Sequence, residues 1–215
     1  FMYLDAAARR NLELTRSLVD GSRRGTLIEV LDLTRTPMGA RLLRRWLDEP
    51  LQEIDAIETR LQCVQELVSD SLTREEIRHQ LGRLSDLERL TSRAATGVAS
   101  PRDLAALRQS LMVLPEIHSA MQPLQSPRLQ ELRETIRGLP DLAGFLARAI
   151  VDDPPATLKD GGVIRDGFHA ELDAIRRAQR EGKQWIAELE LRERERTGIP
   201  SLKVGYNAVF GYYIE

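Results

Sequence analysis

The stretch "RDGFHAELDAIRRAQREGKQWIAELELRERERTG" carries one long helical pattern that a chain of 215 residues cannot bury along its whole length. From Phe168, positions 168, 172, 175, 179, 182, 186, 189 and 193 recur in steps of four and three. They hold Phe, Leu, Ile, Gln, Gly, Ile, Leu and Glu. The seam is coiled-coil-like, with polar and small interruptions. Acidic residues precede basic ones by four at Glu188/Arg192 and Glu190/Arg194, the order that supports a solvated helical face. The spacing predicts a helix over 165–196, roughly 45–50 Å long at ~1.5 Å per residue. Such a helix must project, and its apolar seam must meet a partner. Nothing upstream carries a heptad run of comparable length. The partner is therefore another chain or a returning helix beyond residue 215.

The last residues, "SLKVGYNAVFGYYIE", change period. Leu202, Val204 and Tyr206 alternate with Lys203, Gly205 and Asn207, and Phe210, Tyr212 and Ile214 alternate with Gly211 and Tyr213. Period two predicts strands, with "NAVFG" as the hairpin connection. A lone hairpin is marginal in water, so further strands are expected elsewhere. Lys203 and Asn207 fall on one strand face. A lysine and an amide so placed suit contacts to phosphates that carry no sequence information.

Upstream, local signals mark a series of capped helices. A first helix is expected from Asp5 to just before Gly21. Thr26 is placed to cap a short apolar turn. Thr36-Pro37 and Ser100-Pro101 each join a capping hydroxyl to a proline at the first helical position. The helix opened by Pro37 offers Met38, Leu42, Leu43, Trp46 and Leu47 to a core, and Pro50 closes it. Ile54, Ile57, Leu61, Val64 and Leu67/Val68 form an amphipathic stripe. Ser85-Asp-Leu-Glu88 reads as a capping box for a helix to about Ala95. The helix from Pro101 is expected to break near Pro115, and two shorter ones follow, near 127–137 and 139–151. The first substantial break is "DDPPATLKDGGVIRDG". The expected organisation is a helical region over 1–164, a long helix over 165–196, and the start of a β-rich element over 197–215. The fold class is all-α with a short β extension.

Aromatics make up only 5% of the chain, so a core must be built mainly from Leu, Ile, Val and Ala, which favours packed helices. The single cysteine, Cys63, rules out an internal disulfide and fits a reducing compartment. No apolar run approaches the length of a membrane-spanning helix, and the N-terminus has no signal-peptide pattern. Phe precedes Met there, so the chain is expected to be a segment of something longer. A net charge of −2 neither implies nor excludes nucleic acid.

Residues that could carry catalysis do not converge in the sequence. His79, His118 and His169 are far apart and show no zinc spacing. Gly161-Gly162 lacks the Gly-Lys-Ser/Thr of a phosphate loop. Asp152-Asp153 reads as a solvated turn. Arg192, Arg194 and Arg196 can be read as a solvated face or as cations that hold an acidic backbone. Arg44-Arg45 with Trp46 can be a binding patch, but Trp46 is expected in the core with the arginines flanking it. No catalytic, cofactor-binding or metal residue is assigned.

Four ordered segments carry a resemblance. They are "LDAAARRNLEL" (Leu4 to Leu14), "LDLTRTPMGARLLRRWLDEPL" (Leu31 to Leu51), "DGGVIRDGFHAELD" (Asp160 to Asp173) and "LKVGYNAVFGYYIE" (Leu202 to Glu215). In that order and spacing the chain resembles the MutS family of bacterial DNA mismatch-repair proteins from end to end. The stretch from Ser69 to Pro154 adds only helical character. The resemblance implies a non-catalytic core and lever region running into a DNA-backbone clamp that stops at Glu215. It implies that ATP and Mg belong to a nucleotide-hydrolysing domain absent from this chain, as does the mismatch-reading element. It further implies double-stranded DNA as partner, a homodimer in the full-length protein, no membrane or small-molecule substrate, and a cytoplasmic, nucleoid-associated setting. By analogy with family clamps, Lys203 and Asn207 are the candidate phosphate contacts. The alternative is a structural coiled-coil scaffold that dimerises through 165–196 and never touches DNA.

Overall fold

The computed structural model describes residues 1–207 and 211–215, with only the backbone of Asn207. The expectations for Ala208, Val209 and Phe210 lie outside the described residues. Packing divides the chain into two compact units, Phe1–Val163 and Ile164–Glu215. The class is all-α with one short antiparallel hairpin at the C-terminus.

The first unit contains α1 (Ala6–Asn11), α2 (Leu27–Leu31), α3 (Pro37–Asp48), α4 (Ile54–Ser69) and α5 (Ser71–Gly82). It continues with α6 (Leu87–Ala95), α7 (Pro101–Ala120), α8 (Pro127–Thr135) and α9 (Pro140–Ala149). Most of the starts follow from side-chain caps. Thr26 accepts from Glu29 N, Thr36 from Gly39 N, and Asp5 from Ala8 N. Ser100 and Asp103 form a reciprocal capping box. Ser100 and then the Arg93 guanidinium hold the Asp103 carboxyl down at about 2. That carboxylate ties the end of α6 to the start of α7 through a 2.8 Å bond from Arg93.

Four expectations need correction. The first helix ends at Asn11, because Glu13 turns into the left-handed region at φ 45° and its carboxylate accepts Leu18 N. The cap of α6 is Asp86 and not Ser85. Asp86 also takes a bidentate bond from Arg41 at 2.7 and 2.8 Å, while Glu88 is bound by Arg41 instead of closing a box. The Arg41 guanidinium lowers the Asp86 carboxyl to about 2. Helix α7 does not break at Pro115 but runs on to Ala120. Val113 and Ile117, buried on either side of the proline, anchor both halves in one core, which offsets the lost backbone bond. Finally, the sequence reading contains no α5, although Asp70 caps it by accepting Thr73 N.

Helix α7 organises this unit. Val113, Ile117, Met121, Leu124 and Leu129 form a buried cluster. Cys63 and Leu67 from α4, Ile77 and Leu81 from α5, Leu84 and Ile136 close over it. Burying each large aliphatic side chain contributes roughly 1.5–3 kcal/mol. Between α4 and α8 the link is polar. Ser126 precedes α8 without capping it, and the Glu66 carboxylate caps the helix from outside. It accepts the backbone N–H groups of Gln125 and Ser126 and the Ser126 hydroxyl.

These bonds, the Ser126 hydroxyl first, hold the Glu66 carboxyl below the usual glutamate range. A depressed folded-state pKa stabilises above the unfolded value and loses that stability as pH falls through the folded one. Glu66→Gln is therefore expected to lower Tm at neutral pH. The gap to the wild type should close on acidification below about pH 4, as a thermal melt series would record. A gap unchanged down to pH 2 would contradict the assignment.

Trp46 is the clearest departure from the expected core. It is 42% exposed, as is Leu42 at 47%. The Arg60 guanidinium lies 3.9 Å from the centre of a Trp46 ring. The indole gains a cation–π contact and the aliphatic stem of arginine in place of burial.

Candidate nucleic-acid interface

The second unit consists of α10 (Ala170–Thr197), β1 (Val204–Asn207) and β2 (Gly211–Ile214). Helix α10 starts five residues later than the heptad spacing predicts. A turn with Phe168 N bonded to Arg165 O precedes it, and His169 takes the extended conformation of an N-cap. The His169 ring accepts Leu172 N through Nδ1 at 3.3 Å. His79 lies near the end of α5 and His118 in the last turn of α7, so the three histidines belong to three different elements.

No residue of α10 is buried. Ile175 on the seam is 65% exposed, while Leu172, Ile186 and Leu189 are half-buried. At the other end Gly198 caps the helix in the left-handed region at φ 70°, where any other side chain is strained. The chain then reverses into the hairpin. Val204 pairs with Ile214, Gly205 with Tyr213, Tyr206 with Tyr212 and Asn207 with Gly211. Lys203 and Glu215 exchange both backbone bonds and extend the ladder by one pair.

Two side chains of the charge run fasten this hairpin to the helix. Arg194 donates through Nε to Leu202 O at 2.7 Å and pairs with Glu190 at 2.6 Å. The second Glu190 oxygen accepts Val204 N at 3.1 Å. The two residues thus bond backbone groups on either side of Lys203. Leu202, buried at 6% exposure, plugs the junction. The sequence reading places Arg192, Arg194 and Arg196 together. In the structure Arg194 is internal to the junction and Arg196 pairs with Glu193. Arg192 makes no hydrogen bond or ion pair among the described residues and does not meet Glu188, which accepts from Gln184.

Across the ladder, Tyr206 and Tyr212 meet edge to face at 5.1 Å. On the opposite face the Tyr213 ring lies over Gly205. A Cβ on residue 205 would come within 2.7 Å of that ring. Gly205→Val is therefore expected to expel Tyr213 and unzip the ladder. Amide exchange at Lys203 and Glu215 should accelerate at least tenfold, while α7 amides stay unchanged. Equal protection would contradict the packing.

Lys203 is exposed, and its ammonium makes no ion pair among the described residues. The register puts position 207 on the same side of the ladder as 203 and 205. The Asn207 side chain lies outside the described residues. Acidic and basic residues balance across 164–215, so this unit has no net cationic field. Its chemistry offers a point cation and backbone donors on a strand, suited to a phosphate held without reference to base sequence. No helix among the described residues is long and apolar enough to cross a membrane.

Comparison with known proteins gives one family. The family model for MutS domain III matches residues 7–202. Over 214 residues the chain is 53% identical to the DNA mismatch repair protein MutS of Symbiobacterium thermophilum, covering 100% of this chain and 24% of that protein. It is 54% identical over 217 residues to the protein of that name from Methanothrix thermoacetophila, covering 100% of this chain and 25% of that protein. The corresponding protein of Desulforamulus reducens is 52% identical over 215 residues, covering 100% of this chain and 25% of that protein. The chain thus spans about a quarter of the length of the curated relatives it matches.

Proposed function

The chain belongs to the MutS family, and from that premise we propose that it is a mechanical part of a mismatch-repair protein, linking a DNA-backbone clamp to the helical body. The observation that carries this reading is the junction at the end of α10. Glu190 and Arg194 lock the base of the hairpin onto the helix. A displacement of the helix end therefore carries the strands with it as one body, as packed elements shift in discrete units. Lys203 stands at that junction, exposed and free to meet a phosphate.

In this reading the segment is not itself an enzyme. Nucleotide hydrolysis, with ATP and Mg, belongs to other parts of the longer family proteins, as does the choice between matched and mismatched pairs. The partners are the duplex backbone and a second copy of the full-length protein, in the cytoplasm. The half-exposed seam of α10 then calls for a returning helix of the same polypeptide. It is also the surface that a DNA-free coiled-coil scaffold would use.

Crosslinking separates the two. In the full-length protein, Lys203→Cys carrying a photoreactive maleimide is expected to crosslink duplex DNA of any sequence in the closed complex. Absence of DNA crosslinks, together with Ile175→Cys disulfides between copies, would replace the clamp reading with the scaffold.

A further inference from the structure

Helix α4 holds the most regular apolar stripe of the first unit, and most of that stripe faces away from the core. Ile54, Leu61, Val64 and Val68 are 69%, 60%, 56% and 59% exposed. Cys63 and Leu67, on another face of the same helix, are the ones packed against the buried cluster. With half-buried Ile57 the row falls at 54, 57, 61, 64 and 68, a three-four alternation over four turns. Leu72, 85% exposed, lies just beyond the end of the stripe. Scattered exposed aliphatics are ordinary, but a contiguous strip at helical spacing marks a surface that is normally covered.

We propose that this face of α4 is a docking seam for one amphipathic helix supplied in cis by the rest of the full-length polypeptide. The spacing fits the knobs of a single helix lying along α4 over about 20 Å, and neither a small molecule nor a β-edge matches it. Supply in cis follows from size. A seam of two heptads is shorter than the three to four that sustain a free-standing coiled coil. Five part-exposed aliphatic side chains offer well below the roughly 800 Å² per partner of a stable bimolecular interface. A tethered helix needs far less area, because the chain holds it at an effective concentration in the millimolar range. The relatives carry about three-quarters of their length outside this segment, so the polypeptide to supply it exists. The inference rests on family membership and does not depend on the clamp.

The test uses the full-length protein with Cys63→Ser, and reads maleimide modification of Leu61→Cys by peptide mass spectrometry. Gln62→Cys, on the other exposed side of α4, is the control. Leu61→Cys is expected to react at least tenfold more slowly than Gln62→Cys, by the same factor at all protein concentrations. Equal rates would overturn the proposal, as would protection that fades on dilution and so belongs to a second copy. Hydroxyl-radical oxidation of Leu61 and Val64 in the unsubstituted protein, native against urea-unfolded, gives the answer without a substitution. There, native rates within twofold of the unfolded ones would also overturn the proposal.

Discussion

Leu124→Ala is expected to destabilise the helical unit by about 2–5 kcal/mol, enough to remove much of the stability of an ordinary domain. Leu124 is 1% exposed and lies in the cluster that α4, α5, α7 and α8 share. The cavity left by three lost carbons cannot relax, because rigid helices converge on it from several directions. Urea denaturation should show a lower midpoint with an unchanged slope. The control is Leu61→Ala in the same 215-residue chain. Leu61 is 60% exposed, so its truncation should cost within ~0.5 kcal/mol there. Equal losses at the two positions would mean that the outward face of α4 is already covered within this chain.

Arg108→Met is expected to be the most damaging polar substitution, at about 3 kcal/mol, from the loss of hydrogen bonds worth roughly 1.5–3 kcal/mol each. Arg108 is 4% exposed in the middle of α7. Its guanidinium donates to the Ile150 carbonyl at 3.0 Å and the Asp152 carbonyl at 3.5 Å, and meets the Asp152 carboxylate at 3.1 Å. The side chain therefore fastens the segment after α9 to the central helix. Methionine fills the space and supplies no donor. Asp152→Asn should cost far less, since the Asp152 side chain is 79% exposed and its charge is screened. Comparable losses at Arg108 and Asp152 would show that the ion pair dominates over the carbonyl bonds.

What could be read from the sequence was local chemistry. Thr26, Thr36-Pro37 and Ser100-Pro101 mark helix starts because the capping oxygen and the backbone N–H that donates to it lie within three residues. The switch from period 3.6 to period two located the hairpin, because alternation needs no distant partner to be visible. Burial was not legible in the same way. The stripe of α4 and the indole of Trp46 are apolar whether they face this chain or something else. Only the packing shows that Cys63 and Leu67 turn inward while Leu61 and Val64 turn outward. Caps supplied from a distance were hidden for the same reason, as with Glu66 reaching α8 from 60 positions away in sequence. At the candidate site, Lys203 could be singled out from strand alternation. The roles of Glu190 and Arg194 could not, since an i,i+4 pair on a charged helix usually signals nothing beyond a solvated face.

The central claim is that the strands after α10 hold the DNA backbone without reading its sequence. The most direct measurement is the salt dependence of duplex binding by the full-length protein and by Lys203→Gln, each with matched DNA and with DNA carrying one mismatch. Loss of one phosphate contact should reduce the slope of log K against log salt by about one, and weaken matched and mismatched DNA by the same factor. An unchanged slope would remove Lys203 from the interface. A weaker preference for the mismatch in the variant would contradict the claim outright, because it would make this arm part of the reading of the pair.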